Sequence, residues 1–142
     1  MGALAGIRAL LDRWRRPLPL GKRGELAAAK FLRRKGYLIV AQGERRGVGE
    51  IDLVAVDQRT VVFVEVKTRR THDAGHPLEA VDANKQKRLT RIALSYLRRH
   101  ELLENPARFD VVGITWPDDR SPPVIEHFRN AFEPVGHGQM FG

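Results

Sequence analysis

Two β-branched runs, residues 48–56 and 61–68, stand only four residues apart across Asp57-Gln58-Arg59-Thr60, and that closeness constrains the fold more than any other feature. Parallel neighbours need a crossover of a dozen residues or more, so a connection this short joins antiparallel strands. Successive side chains of a strand alternate between faces. Ile51, Leu53 and Ala55 then share one face and Glu50 and Asp52 the other, while Val62, Val64 and Val66 lie opposite Glu65 and Lys67. A hairpin turning symmetrically about Gln58 and Arg59, with a loop of two or four residues, sets Asp52 across from Glu65 and Glu50 across from Lys67.

Directly opposed side chains have Cβ atoms about 4.5–5.5 Å apart, where like charges destabilise a sheet. Two facing carboxylates between apolar runs therefore need a reason. One is a divalent cation, since magnesium is held by one or two carboxylates with waters and phosphate oxygens completing its octahedron. The other is a salt-bridged, half-solvated sheet face, whose exposed ion pairs are common and weak. On spacing the two readings are even. Glu25 favours the first: on a helical wheel it falls between Ala28, Ala29 and Leu32, and a charge on a core-facing stripe is costly unless paired or metal-bound. A glutamate favoured by the positive end of its own helix is the competing account.

Elsewhere the pattern is legible in the same terms. Leu4, Ile7, Leu10, Leu11 and Trp14 predict a short basic amphipathic helix ending before Pro17, and Pro17 and Pro19 a linker. A second helix is expected over 21–35 with Gly36 as its cap, and a strand begins at 37–40. Residues 70–77 read as a loop. A helix from Asp82 to about His100 carries the stripe Leu89, Ile92, Ala93, Tyr96 and Leu97, which extends back to Lys85 and Gln86 and points them at the sheet. Strands at 109–116 and 124–128 flank a turn. The expected class is α/β, a single domain of αβββαββ order with a mixed sheet flanked by helices. Residues 1–20 form a basic arm and linker, 21–134 the domain and 135–142 a tail.

A chain of 142 residues, 42% of them hydrophobic, can bury a real core. It has no cysteine, which excludes disulfides, thiol nucleophiles and cysteine-ligated metals and makes a cytoplasmic setting the simpler expectation. No apolar run approaches a membrane span, and stable membrane association is not expected, although residues 3–16 keep peripheral attachment as an alternative. The net charge is +8. Residues 1–36 hold ten Lys/Arg against two Asp/Glu, so the whole excess is N-terminal. Between Ala83 and Arg99 there are six basic residues and no acidic one. Such faces attract phosphate backbones, though a solvated basic face is an equally ordinary arrangement. The five histidines, His72, His76, His100, His127 and His137, have no convincing ligand spacing and default to surface or loop positions.

Gly49-Glu50-Ile51-Asp52, Glu65-Val66-Lys67-Thr68-Arg69, Ala80-Val81-Asp82, Lys85-Gln86-Lys87-Arg88-Leu89, Gly24-Glu25 and Arg129-Asn130-Ala131-Phe132 together resemble the YraN-like family of uncharacterised bacterial proteins over residues 21–134. That family is similar to compact PD-(D/E)XK nucleases of restriction-endonuclease-like fold, close to archaeal Holliday-junction resolvases. Ile51 stands where the motif's proline often sits. The resemblance implies a DNA endonuclease using Mg2+ or Mn2+, acting on branched or repair intermediates, with Glu25, Asp52, Glu65 and the Val66 carbonyl at the metal. It implies Lys67 positioning the attacking water, Gln86 supporting it, and Asp52, Glu65, Lys67 and Gln86 as the catalytic set. Lys22, Arg23, Arg69, Lys85, Lys87 and Arg88 are the expected phosphate contacts. A nucleic-acid-binding module that keeps the fold without cutting is the rival reading. Symmetric cutting of four-way junctions would require a homodimer, for which the sequence shows no face.

Overall fold

The computed structural model describes residues 2–15, 18–47 and 49–135; His137 and most of the tail lie outside them. Helix α1 (Gly2–Arg15) is solvent-exposed through Trp14, its large apolar residues included, with Trp14 at 83% and Leu4 at 72%. Helix α2 (Leu20–Arg34) ends as its sequence predicts. Gly36 takes φ +94°, the Tyr37 N–H donates to the Leu32 carbonyl at 3.0 Å and the Gly36 N–H to that of Arg33 at 2.9 Å. That pair of bonds closes the last helical carbonyls, and glycine reaches the required left-handed φ without a Cβ penalty.

Strands β1 (Leu38–Arg46), β2 (Gly49–Asp57), β3 (Thr60–Arg69), β4 (Ala107–Thr115) and β5 (Val124–Phe132) form one sheet in sequence order. All neighbours are antiparallel except β3 and β4, which run parallel and are bridged by α3 (Ala83–Arg99). The expected αβββαββ order and mixed sheet are therefore present, preceded by α1. Asp82 caps α3 by accepting the Lys85 N–H at 2.9 Å. The loop after β3 contains two 3₁₀ turns, His72–Ala74 and Pro77–Ala80. His76 caps the second turn, its Nδ1 accepting the Leu78 N–H.

Both faces of the sheet are covered. Val54, Phe63, Phe109 and Val111 pack with Leu89, Ile92, Tyr96 and Leu97 of α3; Leu53, Ala55, Val62, Val64, Val112 and Ile114 pack with Ala28, Ala29 and Leu32 of α2. The half-solvated sheet is thus replaced by a three-layer core, each buried Leu, Ile, Val or Phe contributing roughly 1.5–3 kcal/mol.

The β2–β3 register is the expected one, Leu53 opposite Val64 through Asp57 opposite Thr60, with a two-residue loop in which Gln58 takes φ 59°. The ladder stops at Leu53. In a regular hairpin closed at Asp57–Thr60 the next hydrogen-bonded pair beyond Leu53–Val64 would be Ile51–Val66. Instead the Val66 N–H donates to Asp52 Oδ2 at 2.8 Å. Strict alternation fails across the same residue: Ile51 joins the α3-side core while Leu53 joins the α2-side core. The expectation that Ile51, Leu53 and Ala55 share a face is corrected accordingly, because β2 leaves β3 at Asp52 and the strand turns over there.

Gly24 sits where α2 crosses β3, and a Cβ there would collide with the Thr68 side chain. In an open helix Gly→Ala gains about 1 kcal/mol. Overpacking costs about 1–3 kcal/mol, so Gly24→Ala should lower stability on balance, read as a reduced urea midpoint.

Candidate metal centre

The splayed end of the hairpin gathers carboxylates. Glu25 from the second turn of α2 and Glu50 and Asp52 from the start of β2 each place an oxygen within 4.8 Å of the others, all three partly buried. Glu65 on β3 lies beside Asp52, its side chain 12% exposed. Three of the four have a cation: Lys22 Nζ lies 3.2 Å from Glu25, Arg45 Nε 3.3 Å from Glu50 and Lys85 Nζ 3.0 Å from Glu65. Asp52, in the middle, has no ion pair among the described residues and is held by the Val66 N–H.

Burial, and next the Glu65 charge beside it, push the Asp52 carboxyl up to about 7. Burial also raises Glu25 above its ordinary value, against the hydrogen bond from Lys22. One Glu65 oxygen, Oε2, is buried without a hydrogen-bonding partner. A crowded, under-neutralised set of hard oxygens with an orphaned carboxylate oxygen beside it fits a divalent cation. Oxygens sharing one magnesium at 2.0–2.1 Å are ~2.9 Å apart when adjacent and ~4.2 Å apart when opposite, so the set, within 4.8 Å as it stands, has to draw together by side-chain rotation to share one ion.

This sets a pH dependence. Without metal, the folded state keeps a proton on Asp52 that the unfolded chain releases, so the stability that Asp52 contributes is fully present below its ordinary value of 3.8 and is lost as pH rises toward about 7. Glu25 acts in the same direction. In EDTA the Tm should fall by at least about 3 °C from pH 5 to pH 8. Asp52→Asn should remove most of that fall, and an equal fall in both proteins would refute the assignment.

The other expected residues are distributed unevenly. Lys67 is exposed and makes no ion pair among the described residues. Lys85 points at the sheet as its stripe predicts and is bound to Glu65, so the cation on that carboxylate comes from α3. Gln86 uses its amide nitrogen on the Val81 carbonyl at 3.0 Å. Lys22 is engaged with Glu25. Arg23 lies over the Trp116 ring, 4.4 Å from its centroid, and bonds Asp119 at 2.7 Å. Arg69 is a correction: it is buried at 6% exposure, with Nε and Nη2 unpartnered, and does not present its guanidinium to a surface ligand. Lys87 and Arg88 are exposed.

Two features escaped the sequence. Glu50 joins the carboxylate cluster instead of facing Lys67, because the strand turns over at Asp52. His127, expected at the surface, has a side chain 2% exposed and is bonded through Nε2 to Asp110 Oδ2 at 2.8 Å and through Nδ1 to Lys35 Nζ at 3.0 Å. Asp110 itself is fully buried; Arg108 and the Asn130 N–H complete its shell. The partner alternation that would reveal this pair, Asp110 on β4 against His127 on β5, requires the β4–β5 register, which neither strand's pattern supplies.

These features define an α/β domain of αβββαββ order with acidic residues at the open end of its central hairpin. The chain belongs to the uncharacterised protein family UPF0102, whose profile matches residues 24–114. A UPF0102 protein of Rhodopirellula baltica is 51% identical over 87% of this chain and 75% of its own length. One from Geobacter sulfurreducens is 49% identical over 80% and 88% respectively. Among solved structures, an EndoMS–double-stranded-DNA complex overlaps 68% of this chain and 38% of that one, with 20% identity and a TM-score of 0.40. Pyrococcus furiosus SfsA in complex with Ca2+ overlaps 78% of this chain and 62% of that one, with 14% identity and a TM-score of 0.38. The chain spans less than two thirds of either structure, and neither overlap bears on what this chain does. Among the described residues no helix is long and apolar enough to cross a membrane.

Proposed function

We propose that the chain is a Mg2+- or Mn2+-dependent phosphodiesterase of nuclease type that acts on DNA, with branched repair or recombination intermediates as its preferred substrates. The observation that carries this reading is Asp52, a partly buried carboxylate with no ion pair among the described residues, gathered with Glu25 and Glu50 and lying beside Glu65. Glu25, Glu50, Asp52 and Glu65, with the Val66 carbonyl, would hold the ion. It would supply Lewis-acid stabilisation of the charge that builds on the phosphoryl oxygens.

The chain's own residues supply the rest. Hydrolysis requires a water oxygen to attack phosphorus as the bond to the leaving oxygen breaks, with one proton lost from water and one gained by the leaving group. Lys67, exposed and without an ion pair among the described residues, would approach that water or the phosphoryl group. Lys85 holds Glu65 in place. Gln86 braces the start of α3 through Val81, which makes it a positioning residue. Lys87 and Arg88 are available to the backbone phosphates, so affinity should weaken with salt as counterions are released.

The decisive assay offers labelled linear, flapped and four-way DNA to the protein with and without magnesium or manganese. Metal-dependent cleavage that favours a branched form is the expected result. Binding without cleavage of any substrate would replace the enzyme with a DNA-binding module of the same fold.

A further inference from the structure

Away from the carboxylates, the outer side of α2 and the turn between β4 and β5 enclose a groove of about 510 Å3. Its floor is apolar, formed by Leu26, Phe31, Trp116, Pro122 and Ile125. Lys30 and Arg34, one helical turn apart, stand on its α2 side, both exposed and without an ion pair among the described residues. The third cation, Arg23, is already committed to Asp119 and to the Trp116 ring. Asp119 in turn is shared by Arg23 and Arg70, and Asp118 is bonded within the turn by Arg120 and Ser121. The unbalanced charge at the groove is therefore positive.

We propose that this groove docks an acidic peptide segment of a partner protein, its carboxylates on Lys30 and Arg34 and its aliphatic or aromatic side chains on the Leu26–Ile125 floor. Volume and lining are those of a ligand site, apolar with few convergent polar groups. Three observations select the occupant. The rim is cationic over an apolar floor, which matches an acidic segment carrying apolar anchors. Single-stranded DNA stacks its bases on open aromatic faces, yet here Trp116 carries the Arg23 guanidinium and Phe31 carries the Lys35 ammonium, 4.8 Å from its centroid. Helix α1 of a second copy is amphipathic, but it is basic like the rim, with Arg8, Arg13 and Arg15 against Asp12.

The probe is a fluorescein-labelled hexapeptide of three acidic residues followed by Leu-Pro-Phe, titrated with the full chain and followed by anisotropy. Saturable binding without added metal is expected, and it should persist in Asp52→Asn, so it stands or falls separately from the proposed nuclease activity. Lys30→Glu with Arg34→Glu should weaken it at least about tenfold, as should Leu26→Asp alone, since charge and floor both contribute. These side chains are exposed, and an unchanged Tm confirms that the variants fold. Loss on charge reversal but not on Leu26→Asp would mean general attraction and would overturn the proposal. So would tighter binding of a six-nucleotide dT oligomer in competition, which would make the groove a strand channel, or no binding at all.

Discussion

Asp52→Asn should reduce metal-dependent DNA cleavage by at least about a hundredfold while leaving the metal-free protein as stable as wild type or more so at pH 8. The two effects have opposite signs for one physical reason. Asparagine keeps an oxygen to accept the Val66 N–H, so the bond that replaces the missing ladder step survives. It removes the charge that burial and Glu65 disfavour, which relieves a cost that grows as pH rises from 3.8 and is complete above about 7. In the proposed nuclease that same charge would be the centre of the ligand set, and losing a preorganised electrostatic element from such a site costs about 10²–10³ in rate. Millimolar magnesium should raise the Tm of wild type by mass action and leave that of the variant unchanged. Lys67→Ala supplies the complementary measurement: kcat should fall by orders of magnitude with little change in DNA affinity. Equal losses of rate and affinity would reassign Lys67 as a phosphate anchor.

Asp110→Ala should have the largest effect on stability. Asp110 is fully buried and accepts from Arg108 at 3.0 Å, from His127 at 2.8 Å and from the Asn130 N–H at 2.9 Å. These partners outweigh the burial that opposes ionisation and hold its carboxyl below the ordinary range. Its contribution is therefore present above the ordinary carboxylate pKa and lost as pH falls through the depressed one. Removing one member of such a buried set leaves the others uncompensated, at a cost of about 3–5 kcal/mol. For a chain of this size that lowers the Tm by roughly 10 °C, measurable by calorimetry. A loss under 1 kcal/mol would show that Arg108, still bonded to Tyr37 and Asp57, carries the network alone.

The helices and the hairpin were legible because their signals are local. A 3.6-residue stripe, Asp82 before α3, Gly36 after α2 and two β-branched runs across a two-residue turn each specify conformation within a few positions. The β2–β3 register, Leu53 opposite Val64 through Asp57 opposite Thr60, follows from the turn alone. What the sequence withheld depends on departures from regularity or on distant partners. Glu50 enters the cluster because β2 turns over at Asp52, and alternation counts cannot foresee a break in alternation. Strand β1 runs past Val40 to Arg46 through an irregularity near Ile39–Ala41 and a left-handed Gly43, which interrupt the period-2 signal. Arg69 and His127 read as surface residues by type. Their burial depends on distant partners: Phe31, Tyr37 and Lys35 close around the His127 ring, and Arg69 pairs with Thr115 of β4.

The sheet's strict sequential order also bears on how the chain is made. As it leaves the ribosome, every strand finds its neighbour already synthesised, and only the step from β3 to β4 must wait for the intervening α3. The meander of β1, β2 and β3 can assemble early, so Asp52 and Glu65 meet before Lys85 has emerged to offset either charge. Asp110 likewise emerges with Arg108 but ahead of His127. A nascent chain halted at the turn before β5 would hold a half-closed charge network beside an unpaired β4 edge, and that species is the natural starting point for misassembly.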